Sequence, residues 1–465
     1  MLFIALLTLL SPLALTLVRD DIVLWVYLFG LAQLFMISAA LDEAALSRTR
    51  TAISLYGLCL AAISIVSYSH SITIGTPGEP YLAKSDGQGY FAEAMLLLDG
   101  NIFDQLNVSR TNYLGYQFIL ASAFRLLSPD LIIGLLVNNT ALLLTVILVA
   151  RTAFILTGDP RPAFFAALAF MLTSKFIFYA NVLLKDPFLT LGVALLAYAF
   201  VKLKMQQGGV AAYGSILGAV MIFGTMRLPM LVLIPGCFLL LGREFLRKGW
   251  ILVVAGLIGA SALASVFSSF TTHEFSKDAV AQQAVQNSVL DEKLQASGVS
   301  AAGGVVGRVM GGYTELALWE RVITVPAPTL IQFALPFDFW STRFLDDHII
   351  DFFNTNLNPL WYLFVGVFAI YTAFYWRQLP NWPMKALFAL GVAMYVIIAF
   401  IFGGVIPRYA SPYLVLMFPA IGYQMTIWRL RVRRASSIRT FFGLYYFLFG
   451  SASAAYAFFQ LARHV

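Results

Sequence analysis

The residues best suited to chemistry lie in a short polar segment that directly follows an apolar stretch. Asp86 stands in the run Lys84-Ser-Asp-Gly-Gln-Gly-Tyr90, and Glu93 follows shortly after it. A carboxylate in this place could act as a general base that takes a proton from an attacking hydroxyl. Asp is equally common as a helix N-cap or a turn residue, so both interpretations stay open. The run Asp-Gly-Gln-Gly is predicted to form a short turn before a helix over 90–98, and its glycines would let the backbone approach a ligand closely.

Other ionisable groups stand at the ends of apolar runs. They are Lys185-Asp186, Arg227 and Arg408-Tyr409. Asp186 precedes a proline, which suits either a helix cap or a second acid near Asp86, and Lys185 would then contact an anion. The planar guanidinium of an arginine is well suited to binding phosphate, although an arginine at a span end can also simply reach towards the membrane surface. Ionisable groups beside a bilayer are costly unless they are paired or functional.

The composition is that of a membrane protein. Of 465 residues, 60% are apolar and only 11% are charged, and the mean hydropathy is +0.82. A hydrocarbon core of about 30 Å needs roughly 20 apolar residues per helix, and many such runs occur, so we predict an all-α polytopic membrane protein. The net charge of +7 does not indicate nucleic acid, because the basic residues concentrate in short loops between apolar runs. Cys59 and Cys237 lie in apolar runs and form no recognisable motif.

Apolar runs predict thirteen transmembrane spans. They cover 2–18, 22–40, 52–70, 131–150, 163–181, 187–204, 209–226, 228–241, 250–267, 358–375, 384–404, 410–428 and 440–461. Cytoplasmic loops are enriched in Lys and Arg, and a cytoplasmic N-terminus places the basic short loops on that side. Asp86, Lys185-Asp186, Arg227 and Arg408-Tyr409 then all fall on the opposite side. The short span 228–241 contains proline and is expected to be tilted or broken.

This topology divides the chain into five parts. Residues 1–70 form N-terminal transmembrane helices, and 71–130 form a first extracytoplasmic loop with the Asp86 motif and an amphipathic interfacial helix from Tyr113 to Leu127. Residues 131–267 form a transmembrane bundle, 268–357 a second extracytoplasmic loop, and 358–465 the C-terminal transmembrane helices. Neither loop is large enough for a big independent enzyme domain, so an active site would be built by outer loops on the helix bundle.

Several kinds of site are disfavoured by the sequence. The chain contains no Walker A loop and no H-E-x-x-H or G-x-S-x-G motif, and the cytoplasmic loops are too short for a nucleotide site. Asp346, Asp347, His348 and Asp351 could ligate a divalent cation, but such a run is more often a solvated helix face. Energy for a reaction would therefore enter with an activated substrate on the outer side.

The motifs resemble those of the GT-C membrane glycosyltransferases, which include protein mannosyltransferases and aminoarabinose transferases of lipid A. The resemblance is carried by Asp86-Gly-Gln-Gly-Tyr90-Phe-Ala-Glu-Ala, Tyr113-Leu-Gly-Tyr116, Tyr179-Ala-Asn-Val-Leu-Leu-Lys185-Asp186 and Arg408-Tyr409-Ala-Ser-Pro412. It covers roughly 75–240 and 395–425. The chain departs from the family in having three predicted spans before the catalytic loop, where many members have one, and a single acid where some relatives have an adjacent pair.

The resemblance implies a fold, a reaction and roles for residues. It implies an inverting transfer of a sugar from a polyprenyl-phosphate donor to a glycan, lipid or protein acceptor at the extracytoplasmic face. Asp86 matches the first-loop catalytic acid position and Asp186 the second. Arg408 matches a late arginine near the donor phosphate, with Arg227 a weaker match. Lys185, Tyr90 and Tyr409 are predicted to complete the substrate and phosphate site.

Donors with a lipid monophosphate are often handled without a metal in this family, so the resemblance implies no required cofactor and leaves a divalent metal open. The membrane is expected to be a bacterial inner membrane, with the active site on the periplasmic side, because Arg outnumbers Lys and no eukaryotic retention signal is evident. Nucleic acid is not an expected partner.

Two other functions remain as alternatives. A polymerase or ligase of lipid-linked oligosaccharides would use the same lipid carrier, but its diphosphate leaving group would demand more positive charge. A polysaccharide or lipid transporter would place ionisable residues and broken helices near the middle of the membrane, often in repeated halves. The charges here concentrate at one face and no repeat is visible, which favours the glycosyltransferase.

Overall fold

The computed structural model shows a helical bundle. It describes residues 20–75, 80–82, 85–99, 115–241, 349–401, 407–432 and 436–464, and all regular secondary structure within these ranges is helical. The predicted spans 2–18 and 250–267, the second loop up to residue 348, and Asp346, Asp347 and His348 lie outside the described residues. Asp351 lies on a described helix, but its side chain is outside the description.

Helices follow one another closely along the described chain. In order they are α1 Asp20–Ala40, α2 Ser47–Ile74, α3 Ser85–Asp99, α4 Gly115–Leu126, α5 Leu131–Thr157, α6 Pro160–Met171, α7 Ser174–Asn181, α8 Asp186–Lys204, α9 Val210–Met226, α10 Leu233–Leu241, α11 Ile349–Leu360, α12 Val367–Phe374, α13 Trp382–Ile401, α14 Pro407–Leu414, α15 Phe418–Val432 and α16 Ser436–His464. Short 3₁₀ helices cover Ala44–Leu46, Leu228–Val232 and Trp376–Gln378, and a π-helix covers Trp361–Gly366.

Within the described residues, the helices long and apolar enough to cross a membrane number five, or six if the bent pair α6–α7 is one span. The multi-span helical class is confirmed, whereas the count of thirteen is not. The predicted span 163–181 is bent by 54° between α6 and α7. The predicted span 410–428 is interrupted between α14 and α15, where Pro419 stands in the first turn of α15 and has no amide proton for a helical hydrogen bond.

The span predicted over 228–241 is broken, as its prolines suggest, into the 3₁₀ helix Leu228–Val232 and α10. Within the described residues, α4 lies where the sequence predicted an interfacial helix over 113–127, and it ends at Leu126. It packs against α3, so the first loop contains two helices in contact with each other.

The core forms where small residues let helices approach closely. Gly422 of α15 lies directly against the Pro162 carbonyl and the Ala166 amide of α6, with no room for a Cβ. Helix α5 packs against α2, α6 and α8, and Leu142, Leu143 and Val146 on it are fully buried. Small residues at such crossings are the usual means of helix association in a membrane.

Polar contacts between helix ends and loops identify the two ends of the bundle. At one end Arg151 forms an ion pair with Glu43, and Asn381 donates a hydrogen bond to the Leu156 carbonyl. At the other end Tyr68 donates a hydrogen bond to Asp130, which caps the first turn of α5. Three segments predicted to be cytoplasmic, around Glu43, Arg151 and Asn381, therefore lie at one end of the described bundle.

Candidate functional site

Asp86 lies in the first turn of α3. The helix begins at Ser85, so the Asp-Gly-Gln-Gly run is helical. The prediction that this run forms a separate turn before the helix was wrong. The Asp86 side chain is exposed, and a negative charge in a first turn interacts favourably with the helix dipole. Tyr90, one turn later, is buried. The helix thus holds an accessible carboxylate above a buried aromatic ring.

Gly87 fixes the start of α3 against a distant part of the chain. A Cβ at this position would collide with the Val182 carbonyl oxygen, because the two backbones touch there. Val182 is the C-cap of α7 and stands three residues before Lys185. The contact therefore brings the Asp86 segment next to the Lys185-Asp186 segment, which the chain reaches about a hundred residues later.

The turn from α7 to α8 has an unusual backbone. Leu183 is left-handed, with φ of 55°, and the Leu184 amide donates to the Tyr179 carbonyl at 3.2 Å. This is the hydrogen bond of a Schellman helix end, in which glycine normally takes the left-handed position. A leucine there costs on the order of 1–3 kcal/mol, and the surrounding packing must enforce it. Leu183 is fully buried and touches Gly134 of α5.

The turn delivers two charged side chains to the site. Lys185 is half-buried, and its Nζ lies 5.7 Å from the centre of the Tyr90 ring. Asp186 begins α8 and is 1% exposed, so its carboxyl group is held inside the protein. Lys185, rather than Asp186, occupies the N-cap position. The sequence motif Lys185-Asp186 thus contacts the motif that contains Tyr90.

Tyr116 of α4 lies at the centre of this cluster. Its ring packs edge-on against Tyr90 at 5.2 Å and lies 5.9 Å from Phe188. Burial raises the pKa of the Tyr116 hydroxyl well above its usual range, and the nearby charge of Asp186 raises it further. The hydroxyl therefore stays protonated and donates a hydrogen bond to Asn138 Oδ1 at 3.0 Å.

Arg227 forms a second cationic position. It follows the last residue of α9, and its guanidinium carbon lies 4.0 Å from the centre of the Tyr409 ring. The α4 residue Gly115 abuts Thr225, which links this pair to the Tyr116 cluster. Arg408 lies in α14 beside Tyr409, but its side chain is outside the described part of the structure.

The described part of the predicted site thus contains two connected pairs of a cation and a tyrosine ring, Lys185 with Tyr90 and Arg227 with Tyr409. Stacking on a ring holds a cation in place while its outer donors stay available to an anion. Glu93 adds a further carboxylate, which accepts a hydrogen bond from Gln117 at 2.7 Å. Among the described side chains no group of three or more His, Cys, Asp or Glu is arranged to hold a metal ion.

Sequence reasoning missed the buried amides that support the cluster. Asn138 and Asn139 of α5 and Asn181 of α7 are all buried and hydrogen-bonded. An available signal was the pair of adjacent asparagines inside an apolar run, because polar groups are rare there unless they bond to a partner.

Comparisons with known proteins give one kind of match. No family model matches the chain, and no curated protein matches it significantly. Among solved structures it is similar to ArnT from Cupriavidus metallidurans, a GT-C aminoarabinose transferase. The apo structure gives a TM-score of 0.35 at 16% identity over 79% of this chain and 76% of that chain. The structure bound to undecaprenyl phosphate gives 0.37 at 15% identity over 79% and 77%.

These matches fall in the family that the motifs resemble. At such TM-scores the likeness determines neither a fold, nor an activity, nor a set of site residues.

Proposed function

We propose that the chain is an inverting membrane glycosyltransferase of the GT-C type. It takes a sugar from a polyprenyl-phosphate donor and transfers it to an acceptor hydroxyl at the extracytoplasmic face, in a bacterial inner membrane. The observation that carries the proposal is the contact of Gly87 with Val182, which packs the helix that carries Asp86 against the turn before Lys185, whose ammonium lies over the Tyr90 ring. A base next to an anion-binding cation is what transfer from a sugar phosphate needs.

In this mechanism Asp86 accepts the proton of the acceptor hydroxyl. The acceptor oxygen attacks the anomeric carbon from the side opposite the phosphate, a new C–O bond forms, and the bond to the phosphate oxygen breaks. The polyprenyl phosphate leaves with the bonding electrons, so negative charge grows on its oxygens. Lys185, Arg227 and Arg408 offset that charge, and such electrostatic stabilisation is often the largest catalytic contribution.

The two tyrosines have a supporting role in the same site. Tyr90 and Tyr409 hold the Lys185 and Arg227 cations over their rings, which limits the motion of both side chains before the phosphate arrives. Asp186 provides a buried negative charge at the start of α8, next in the chain to Lys185. This charge balances the cationic cluster when no phosphate is bound.

The decisive variant is Asp86→Asn, assayed in proteoliposomes with a polyprenyl-phosphate sugar and an acceptor. We expect the transfer rate to fall by about 10²–10⁴-fold, because a lost general base typically has that effect. Binding of polyprenyl phosphate should persist. Asp159→Asn is the matched control, because Asp159 caps α6 at the opposite end of the bundle. Full transfer activity in Asp86→Asn would overturn the proposal.

Mass spectrometry of the released lipid separates this function from its alternatives. Polyprenyl monophosphate as the product supports the proposal. Polyprenyl diphosphate would instead indicate a polymerase or ligase of lipid-linked oligosaccharides. Movement of an unmodified lipid-linked sugar across the vesicle, with no new glycosidic bond, would indicate a transporter.

A further inference from the structure

Asn138 connects three segments of the site without reaching its surface. The residue lies in α5, two turns from Asp130, and is completely buried. Its Nδ2 donates to the Ala180 carbonyl at 3.2 Å and to the Leu184 carbonyl at 3.1 Å. Its Oδ1 accepts the hydrogen bond from the Tyr116 hydroxyl. One amide group therefore joins α5 to the end of α7, to the start of α8 and to α4.

The two carbonyls need this partner because the backbone turns sharply between them. In a continuous helix Ala180 would accept from the Leu184 amide, but that amide bonds to Tyr179 instead. Past the turn, the amides of Phe188 and Leu189 both bond to Lys185, which leaves Leu184 outside the ladder of α8. A carbonyl without a partner is unfavourable inside a membrane protein, because no water is at hand to replace the missing donor, so the Asn138 amide stabilises this turn.

A second hydrogen-bonded chain holds the same turn from α2. Ser64 donates to Asn181 Oδ1 at 2.6 Å, Ser67 donates to the Asn181 carbonyl at 3.1 Å, and Asn139 donates to Ser64 at 2.8 Å. These bonds fix the last residue of α7. Asn138 is the side chain that continues from there to Leu184, the residue directly before Lys185, and to Tyr116 against Tyr90.

We infer that Asn138 is a positioning residue for the glycosyl transfer. The inference rests on the proposed function and goes further, because it assigns a role to a buried amide that never touches the substrate. Asn138 sets the Leu183–Asp186 backbone relative to the Tyr90–Tyr116 pair. It thereby places the Lys185 ammonium where the leaving phosphate gains its charge. A misplacement of about 1 Å in such a group can lower a rate by about 10²-fold.

The test variant is Asn138→Asp, which keeps the size of the side chain and an oxygen for Tyr116. It removes the NH₂ group that serves both carbonyls, because a carboxyl group can donate at most one hydrogen bond. We expect kcat to fall by about 10²-fold per folded molecule. The KM for the lipid donor should stay nearly unchanged. Arg227 and Tyr409, which are proposed to contact the donor phosphate, lie outside the disturbed turn, so the variant alters the placement of Lys185 and leaves that contact in place.

Thr140→Val is the matched control on the same helix. Thr140 accepts a hydrogen bond from Gln33 of α1, so this variant removes a side-chain bond of α5 that does not lead to the site. Its kcat and KM should equal those of the unchanged protein. Should Asn138→Asp fail to fold, Asn138→Ser retains one hydroxyl donor, and its kcat should lie between those expected for the Asp variant and for the unchanged protein.

The kinetic pattern separates positioning from a purely structural role. A structural role alone would reduce the folded fraction, measured by size-exclusion chromatography, while kcat per folded molecule stayed constant, and this result would overturn the inference. Unchanged kcat in Asn138→Asp together with an inactive Asp86→Asn would reject the role of Asn138 and leave the proposed function intact. Full activity in Asp86→Asn would reject the function itself.

Discussion

At the scale of single residues, the site uses aromatic rings to hold its cations. Lys185 lies over Tyr90 and Arg227 over Tyr409. A cation over an aromatic ring gains about 0.5–1 kcal/mol when exposed and about 2 kcal/mol or more when desolvated. This gain limits the motion of long side chains that would otherwise sample many rotamers. In the proposed reaction, two cations restrained in this way would bind the donor phosphate without first having to be ordered.

A comparison of two lysines tests whether Lys185 acts on the transfer reaction or only packs against a tyrosine ring. Helix α8 carries a second arrangement of the same kind at its other end, where Lys202 lies 5.6 Å from the centre of the Tyr198 ring. Lys185→Gln should lower the transfer rate by at least about tenfold, because the leaving phosphate loses a compensating charge. Lys202→Gln should leave the rate unchanged. The measurement is kcat in proteoliposomes, and equal rates for the two variants would refute the role of Lys185.

At the scale of elements, the position of α3 depends on one close backbone approach. Gly87 touches the Val182 carbonyl, whereas a Cβ at Gly89 would meet only open space within 4 Å. Both glycines lie in the first turn and a half of the same helix. They therefore give a matched pair in which the helix propensity of the new residue is equal and only the contact differs.

Gly87→Ala should displace α3 from the end of α7 and lower the transfer rate, since Asp86 and Tyr90 move with the helix. A loss of about 10²-fold corresponds to a shift of about 1 Å. Gly89→Ala should keep full activity and raise the unfolding temperature slightly, because Ala is favoured over Gly in a helix by about 1 kcal/mol. Kinetics and thermal unfolding in detergent check both variants. A fully active Gly87→Ala would show that the contact does not position the site.

The elements also show how far the sequence could predict the structure. Long apolar runs such as 131–150 and 187–204 correspond to α5 and α8, because burial of apolar side chains dominates helix placement there. The helical start of α3 was missed, because two glycines suggested a turn and only the contact with Val182 explains Gly87. The left-handed Leu183 could not be predicted, since tertiary packing alone makes a leucine adopt it.

The residues of the candidate site could be predicted from the sequence, but their arrangement could not. Charged residues at span ends were visible in the sequence, and the structure brings Asp86, Lys185 and Asp186 to one region. Their geometry depends on Tyr116 and Asn138, which the sequence offers only as an aromatic and an amide in apolar surroundings. Which polar groups meet is decided by the crossing of α4, α5 and the α7–α8 turn. Single-sequence periodicity does not contain that information.

At the scale of the whole molecule, charge and contacts divide the bundle into two ends. Helix α2 begins at Ser47, near the Arg151–Glu43 ion pair, and Tyr68 in its second half bonds to Asp130 near the opposite end. The candidate site lies at the Asp130 end. Among the described basic residues, Arg48, Arg151 and Lys204 lie at the other end, and the positive-inside rule assigns such an end to the cytoplasm.

This orientation predicts the labelling of single cysteines from outside the cell. The natural cysteines are Cys59 and Cys237, and replacing both by alanine gives a background for Ser47→Cys and Ser128→Cys, two changes of one atom at opposite ends. In a bacterial host, a membrane-impermeant maleimide should label the Ser128 variant in intact spheroplasts. The Ser47 variant should react only after permeabilisation. Labelling in the reverse order would place Asp86 on the cytosolic side. Polyprenyl-phosphate sugars in the outer leaflet would then be out of its reach, which would contradict the proposed transfer at the extracytoplasmic face.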